Sequence, residues 1–392
     1  MRIAIDNREA TSERKTGKGQ WAYGFVQELQ RRIGCTAILY GYRTASQQLS
    51  TESFSRSPLW HLRVAWDVWR KWKRGDIDMY MSPTSFIVPA LIGKWVPCVP
   101  IVHDLIAFRR DEQHDRKARW IERWTLGRAL RFAKFICTNS ESTKQDLLKR
   151  YPFLHPDAIA VIFAGPSFET PSPCHGEGFC EAKLSRTTTG WAPQDDMFTI
   201  LCIGTLCPRK NQLRLIEAYR RLSPLLRKQY RLLLVGGRGW GDTEVVRRAK
   251  ETDGVEWRGY VSPSQCEELL KTCTVFAYPS LYEGFGIPLL DALQRGIPVL
   301  TSNRGGLREI ASDAAVIIDP ENIDSIAQGL HDLLTNDHLR ETLGQQGKRQ
   351  AALFSWKRTV DLFCEAVSRV FSFGGGGNLV RFPTSPKPPS PS

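Results

Sequence analysis

The chain has 392 residues, 42% hydrophobic and 24% charged, with 54 Lys and Arg against 41 Asp and Glu and a formal charge of +13. That balance excludes a mostly disordered chain, and the length favours two domains over one. The charge is uneven: residues 1–170 hold 27 basic and 17 acidic side chains, residues 171–392 hold 27 and 24. The positive field belongs to the first half and calls for an anionic partner there: phosphates, nucleic acid or a lipid surface.

In chain order, RIAID (2–6) reads as a first strand. Residues 17–33 set Trp21, Phe25, Leu29 and Ile33 four apart on one helical face. CTAILY (35–40), IDMYM (77–81), PIVHD (100–104) and FICTN (135–139) read as strands, and 115–133 and 140–150 as helices, with Ser140 or Ser142 as N-cap. Between 56 and 74, Trp60, Trp66, Trp69 and Trp72 stand among six basic residues and one acid, with Leu59, Leu62, Trp66 and Trp69 on one stripe. That stripe suits either a core-facing helix or an anionic membrane interface, and the sequence does not choose between them. A Pro-, Gly- and Ser-rich stretch at 166–197 breaks the pattern and reads as a linker.

The alternation restarts with strands at 198–204, 231–237, 255–261, 274–280, 297–302 and 314–319. Helices are expected between them, at 210–222, 243–252, 263–272, 287–295 and 306–312, then at 323–335, 337–350 and 356–371. Continuous apolar strands alternating with helices imply parallel sheets covered on both faces. The expected organisation is therefore α/β: two Rossmann-like, doubly wound domains (1–165 and 198–355) facing a central cleft. A C-terminal helix (356–372) crosses back, and a low-complexity tail (373–392) follows.

Ligands of such sheets bind at the carboxyl ends of the strands, so chemistry is sought there. Gly204 ends a strand and precedes Arg209 and Lys210 at an expected helix start, a natural diphosphate site or else a solvated basic pair. YEGFGIPLLDAL (282–293) puts Glu283 and Asp291 around a glycine turn, with Phe285, Gly286 and Ile287 between them, where two carboxylates can grip neighbouring hydroxyls of a sugar or ribose. His103 and Asp104 end a strand of the first half and face the cleft. No second His or Cys at ligand spacing accompanies them, so no metal is expected. TGKGQ (16–20), with Gly17 and Gly19, is a weaker phosphate turn. Cys174, His175 and Cys180 lack a fourth ligand and read as linker.

Taken together and in order, TGKGQWAYGFVQEL, VHDL, NSESTKQDL, VIFAGP, GTLCPRKN, LVGGRGWGD, EGFGIPLLDAL and TSNRGGLREIASDAAVIIDPEN resemble the family-4 retaining glycosyltransferases (glycosyl transferases group 1), of GT-B fold. The resemblance implies transfer of a hexose from a nucleotide-sugar donor with retention, at a metal-independent site without a cofactor. It implies that Arg209 and Lys210 stabilise the departing diphosphate, that Glu283 meets the sugar hydroxyls with backbone amides of Phe285–Ile287, and that His103 contacts the sugar. Gly17 and Gly19 would approach the phosphate from the opposite wall. The chain departs from the family at two points: the second acid of the motif is the shorter Asp291, and Gln20 stands where many members carry Arg.

The motif forms are most similar to bacterial mannosyltransferases of surface-polysaccharide assembly, which implies GDP-mannose as donor and a saccharide or lipid-linked saccharide as acceptor. Ten scattered cysteines read as reduced thiols, no apolar run reaches the roughly 20 residues of a membrane span, and the N-terminus carries no signal segment. The expected location is the cytoplasm, peripheral at the inner membrane face. A nucleotide-sugar 2-epimerase of the same build and a nucleic-acid-binding protein are the rival readings, and nucleic acid is not the expected partner.

Overall fold

The computed structural model describes residues 1–12, 15–32, 34–42, 52–54, 59–109, 116–168 and 197–372. Ile33, Arg56, the Cys174–His175–Cys180 cluster with most of the proposed linker, and the 373–392 tail lie outside them.

The strands are β1 Arg2–Asp6, β2 Thr36–Tyr42, β3 Glu52–Phe54, β4 Met79–Ser82, β5 Cys98–Val102, β6 Ile136–Thr138 and β7 Ile159–Val161. They are followed by β8 Phe198–Ile203, β9 Tyr230–Val235, β10 Val255–Trp257, β11 Val275–Tyr278, β12 Val299–Ser302 and β13 Val316–Ile318. They make two parallel sheets in the orders β3-β2-β1-β4-β5-β6-β7 and β10-β9-β8-β11-β12-β13. Both sheets reverse direction at an inner strand pair, β1/β4 and β8/β11, which is the doubly wound pattern. Strands β4, β5, β11 and β12 are buried at every residue, the consequence of helices on both faces.

Two short strands, β3 and β7, and the helices Ile87–Ile92 and Pro224–Gln229 are additions to the elements expected from the sequence. The first helix runs Gly17–Gln30 and buries Trp21, Phe25 and Leu29 as their four-residue spacing requires. In the helix Trp60–Arg74 the buried side chains are Trp60, Val64, Ala65 and Val68. The stripe formed by Leu59, Leu62 and Trp66 is on the outside, with Trp69 half-buried and stacked on Trp66 at 5.1 Å. Core packing therefore accounts for Trp69, which rests against the cluster of Trp60, Val64 and Val68, but not for Leu59, Leu62 and Trp66.

The last helix, Trp356–Ser372, packs on the helix Gly17–Gln30 of the first sheet's half. Phe363 meets Phe25 edge-on at 5.2 Å, and the indole Nε1 of Trp356 donates to the Pro166 carbonyl at 2.8 Å. The Trp356 ring lies directly against the Cα of Gly24, where an added Cβ would overlap it. Overpacking of this kind costs about 1–3 kcal/mol. Gly24→Ala should lower stability by about that amount in thermal or urea unfolding, because the returning helix must lift. A variant as stable as wild type would show that Trp356 is not seated there.

Candidate active site

The order of the second sheet makes β8 and β11 neighbours, so the loops that leave their carboxyl ends are neighbours too. The first loop carries Gly204, Arg209 and Lys210, and the second carries Glu283. Arg209 and Lys210 occupy a 3₁₀ turn, Pro208–Lys210, and not the helix start expected from the sequence. The helix begins only at Gln212, because Asn211 turns left-handed (φ 63°) and its amide donates to the carbonyls of Pro279 and Pro320 at 3.0 and 2.7 Å. This anchors the turn beside the β11 loop.

There Lys210 Nζ lies 2.5 Å and Arg209 Nη1 2.6 Å from the same oxygen, Glu283 Oε1. Arg209 also donates to the Tyr282 carbonyl at 2.9 Å, and Lys210 to the Tyr278 hydroxyl. All three charged side chains are nearly buried. Burial alone would raise the Glu283 carboxyl, yet the two cations hold it down to about 2. Burial pulls Lys210 below its ordinary value despite Glu283. Burial also opposes the charge of Arg209, but Glu283 and, more weakly, Asp104 of the other half raise it above its ordinary value. Two cations thus share one carboxylate, leaving net positive charge at low dielectric, and the arrangement suits an incoming anion.

Gly286 precedes the helix Ile287–Gln294, with Pro288 in its first turn. Phe285 and Ile287 are buried around it. Asp291, one turn in, is 3% exposed and faces the chain at Ser167, whose N–H donates to its Oδ1 at 2.7 Å. The acid expected to meet a ribose therefore serves a backbone amide here. Gln20 reaches the same place, donating to the Ser167 carbonyl at 3.4 Å.

On the opposing wall, His103 is buried and both its ring nitrogens are engaged. Nε2 lies 2.7 Å from the Pro83 carbonyl, so it carries the proton, and Nδ1 accepts from Asn139 Nδ2 at 3.4 Å. Burial, helped by Lys18, pushes its pKa down to about 4 and keeps the ring neutral. The part of His103 that meets the other half is its carbonyl, pressed against Gly284 where an added Cβ would overlap it. Asp104 lies 3.9 Å from Lys18 Nζ, between Gly17 and Gly19 at the start of the first helix. Gly17 is open and Gly19 is packed on Glu9. Among the described residues no group of three or more His, Cys, Asp or Glu could hold a metal.

Sequence reasoning missed several contacts between the two halves. Tyr282 donates its hydroxyl to Asp146 Oδ2 at 2.7 Å. Glu309 accepts from the backbone N–H groups of Glu141 and Ser142 at 2.8 and 2.6 Å, capping that helix from the far side. Tyr278, which receives Lys210, sits in an apolar strand with no local signal to mark it.

The family described as glycosyl transferases group 1 matches residues 189–350, and the one described as glycosyltransferase family 4 matches residues 17–165. An O-antigen chain mannosyltransferase B of Escherichia coli is 32% identical over 284 residues, 71% of each chain. An MMP α-(1→4)-mannosyltransferase of Mycolicibacterium hassiacum is 26% identical over 322 residues, 76% of this chain and 73% of that one. Among solved structures, the Anabaena HepE protein in complex with UDP and glucose superposes with a TM-score of 0.70 at 18% identity, covering 94% of this chain and all of that one.

Burial pushes the Asp291 carboxyl up to about 6, against the Ser167 donors that favour its charged form. Between its ordinary value near 4 and 6, the folded chain holds a proton that the unfolded chain releases. This contribution to stability is present at low pH and lost as pH rises through 6. Asp291→Asn keeps the acceptor for Ser167 N–H but not the charge. Relative to the variant, wild type should lose roughly 1–3 kcal/mol between pH 4 and 7.5 in urea unfolding. Parallel stability profiles would contradict this placement of Asp291.

Proposed function

The chain belongs to the family-4 (group 1) glycosyltransferases, with their GT-B fold and hexosyltransferase activity, and from that membership we propose the reaction, donor and setting. The enzyme moves a hexose, with retention, from a nucleotide-sugar donor to a saccharide or lipid-linked saccharide. The sugar is mannose from GDP-mannose, and the setting is cell-surface polysaccharide assembly, as the name of the Escherichia coli relative suggests. The observation that carries the reading is the pair of buried cations on Glu283.

In this reading the donor diphosphate settles on Arg209 and Lys210, sharing them with Glu283. As the bond from the anomeric carbon to the phosphate oxygen breaks, its electron pair leaves with the nucleoside diphosphate, and the two cations take up the growing charge. The acceptor oxygen bonds to the anomeric carbon on the same face. Its proton goes to the departing phosphate oxygen, since His103 is neutral with both nitrogens engaged. Glu283, held ionised, accepts from the sugar hydroxyls, and the amides of Phe285–Ile287 add donors near the helix start. The protein's own cations fill the place that a divalent metal takes elsewhere, so the site works without metal. The similarity to named mannosyltransferases favours a transferase over the 2-epimerase reading.

A panel of nucleotide sugars, screened for released nucleoside diphosphate with and without EDTA, tests this. GDP-mannose should turn over, EDTA should change nothing, and Arg209→Ala or Lys210→Ala should lower kcat about 10²–10³-fold. Near wild-type turnover in both folded variants, or a loss with EDTA that Mg²⁺ restores, would overturn the charge-stabilisation reading.

We also infer that the enzyme works at a membrane surface. The helix Ile87–Ile92 packs between the helices Trp60–Arg74 and Arg116–Phe132. These three neighbours and their ends expose Leu59, Leu62, Trp66, Trp95, Trp120 and Trp124, with Trp66 60% and Trp120 68% accessible. Exposed Trp with flanking Lys and Arg suits an anionic interface. Lys71 is not part of it, being paired with Glu52 and Asp67 at 2.6 and 2.8 Å. Among the described residues no helix is long and apolar enough to cross a membrane. Co-sedimentation should rise with the anionic lipid content of vesicles, fall with added salt, and drop sharply in Arg70→Gln/Lys73→Gln/Arg74→Gln. Indifference of wild type to anionic vesicles at low salt would exclude this surface.

A further inference from the structure

A second groove, of about 300 Å³, opens one residue away from Glu283. Its floor is Leu105, Phe108 and Tyr282, and its rim is Arg109, Asp146, Lys149 and Arg150. The three cations are exposed, and none of them is ion-paired among the described residues. Two are instead held on aromatic faces: the guanidinium of Arg109 lies 4.8 Å from the Tyr282 ring centroid, and that of Arg150 lies 5.0 Å from Phe108. Stacking fixes a guanidinium while leaving its in-plane N–H groups available, as recognition of a phosphate requires. The one acid of the rim, Asp146, is already an acceptor for the Tyr282 hydroxyl. The groove therefore presents three cations, two of them prepositioned, with one committed acid, at the mouth of the cleft and on the side of the first sheet.

We propose that this groove is a subsite for an anionic group of the acceptor, a phosphate or diphosphate ester. The inference rests on the reading of Arg209 and Lys210 as the donor's diphosphate site, from which Tyr282 separates it. The Arg209 side chain donates to the backbone of Tyr282 on one side, and Arg109 covers its ring on the other. The sugar site at Glu283 then lies between a donor diphosphate and an acceptor phosphate, each with its own cations.

The test is calorimetric titration of dodecyl diphosphate into the full chain, with GDP or UDP in excess to fill the donor site. Inorganic diphosphate serves as the arm without a chain, and dodecyl maltoside as the arm without charge. In Arg109→Gln/Lys149→Gln/Arg150→Gln the Kd for dodecyl diphosphate should rise about 10- to 100-fold. The Kd for the nucleoside diphosphate should hold, and so should that for dodecyl maltoside. The same loss with inorganic diphosphate assigns the groove to the phosphate itself, and a loss confined to the dodecyl ester assigns it to a lipid-linked one. A charge-matched variant, Lys228→Gln/Lys250→Gln/Lys271→Gln, should bind dodecyl diphosphate as wild type does. Unchanged affinity in the groove variant, or equal loss in both triple variants, would overturn the proposal. Arg209→Ala, run in parallel, should weaken the nucleoside diphosphate alone. If it does not, the donor reading fails separately from the groove.

Discussion

The site is built around a backbone-to-backbone approach: Gly284 against the carbonyl of His103, too close for any side chain at 284. Through it the loop after β11 meets the loop after β5, and the carboxyl ends of two separate sheets become one cleft. Glu283 sits immediately before that contact and is tied to Arg209 and Lys210 on the neighbouring loop. A buried carboxylate on two cations is a poor source of stability, because desolvation offsets most of the attraction. Its value is geometric and electrostatic. It fixes three charged groups at a switch point, and it leaves the pocket positive.

Environment assigns different chemistry to the two acids of one motif. Glu283 is nearly buried, yet its cations keep it ionised far below neutral pH. Asp291, eight residues on and more deeply buried, has the donors of Ser167 and Phe168 and the charge of Arg295 against it, and burial still pushes its carboxyl up to about 6. The first can accept hydrogen bonds from a sugar at any working pH. The second, one methylene shorter than the usual glutamate, has turned to the chain at Ser167. The same contrast holds on the other wall, where burial and Lys18 leave His103 neutral and committed to Pro83 and Asn139.

Much of the fold was legible because parallel strands covered on both faces leave continuous apolar runs, which β4, β5, β11 and β12 do. The residues of the site were legible because they follow such runs directly, as Arg209, Lys210, Glu283 and His103 all do. What was not legible depends on partners remote in sequence. The turn at Pro208–Lys210 is set by Asn211 reaching Pro279 and Pro320, and nothing local announces it. The Glu309 cap on Glu141 and Ser142 and the Tyr282 bond to Asp146 join residues more than a hundred positions apart. The helix Ile87–Ile92 is one and a half turns long and contains Pro89, too short and too broken for periodicity to reveal. The Trp66 stripe has the spacing of a core face, and only the position of Val64, Ala65 and Val68 shows which face is inside.

The most direct test is a crystal structure with the bound nucleoside diphosphate. The account predicts phosphate oxygens within hydrogen-bonding distance of Lys210 Nζ and the Arg209 guanidinium, with Glu283 still at their side and facing the sugar position. Phosphates held on the opposite wall, or on the groove of Arg109, Lys149 and Arg150, with Arg209 and Lys210 still closed on Glu283 alone, would contradict it.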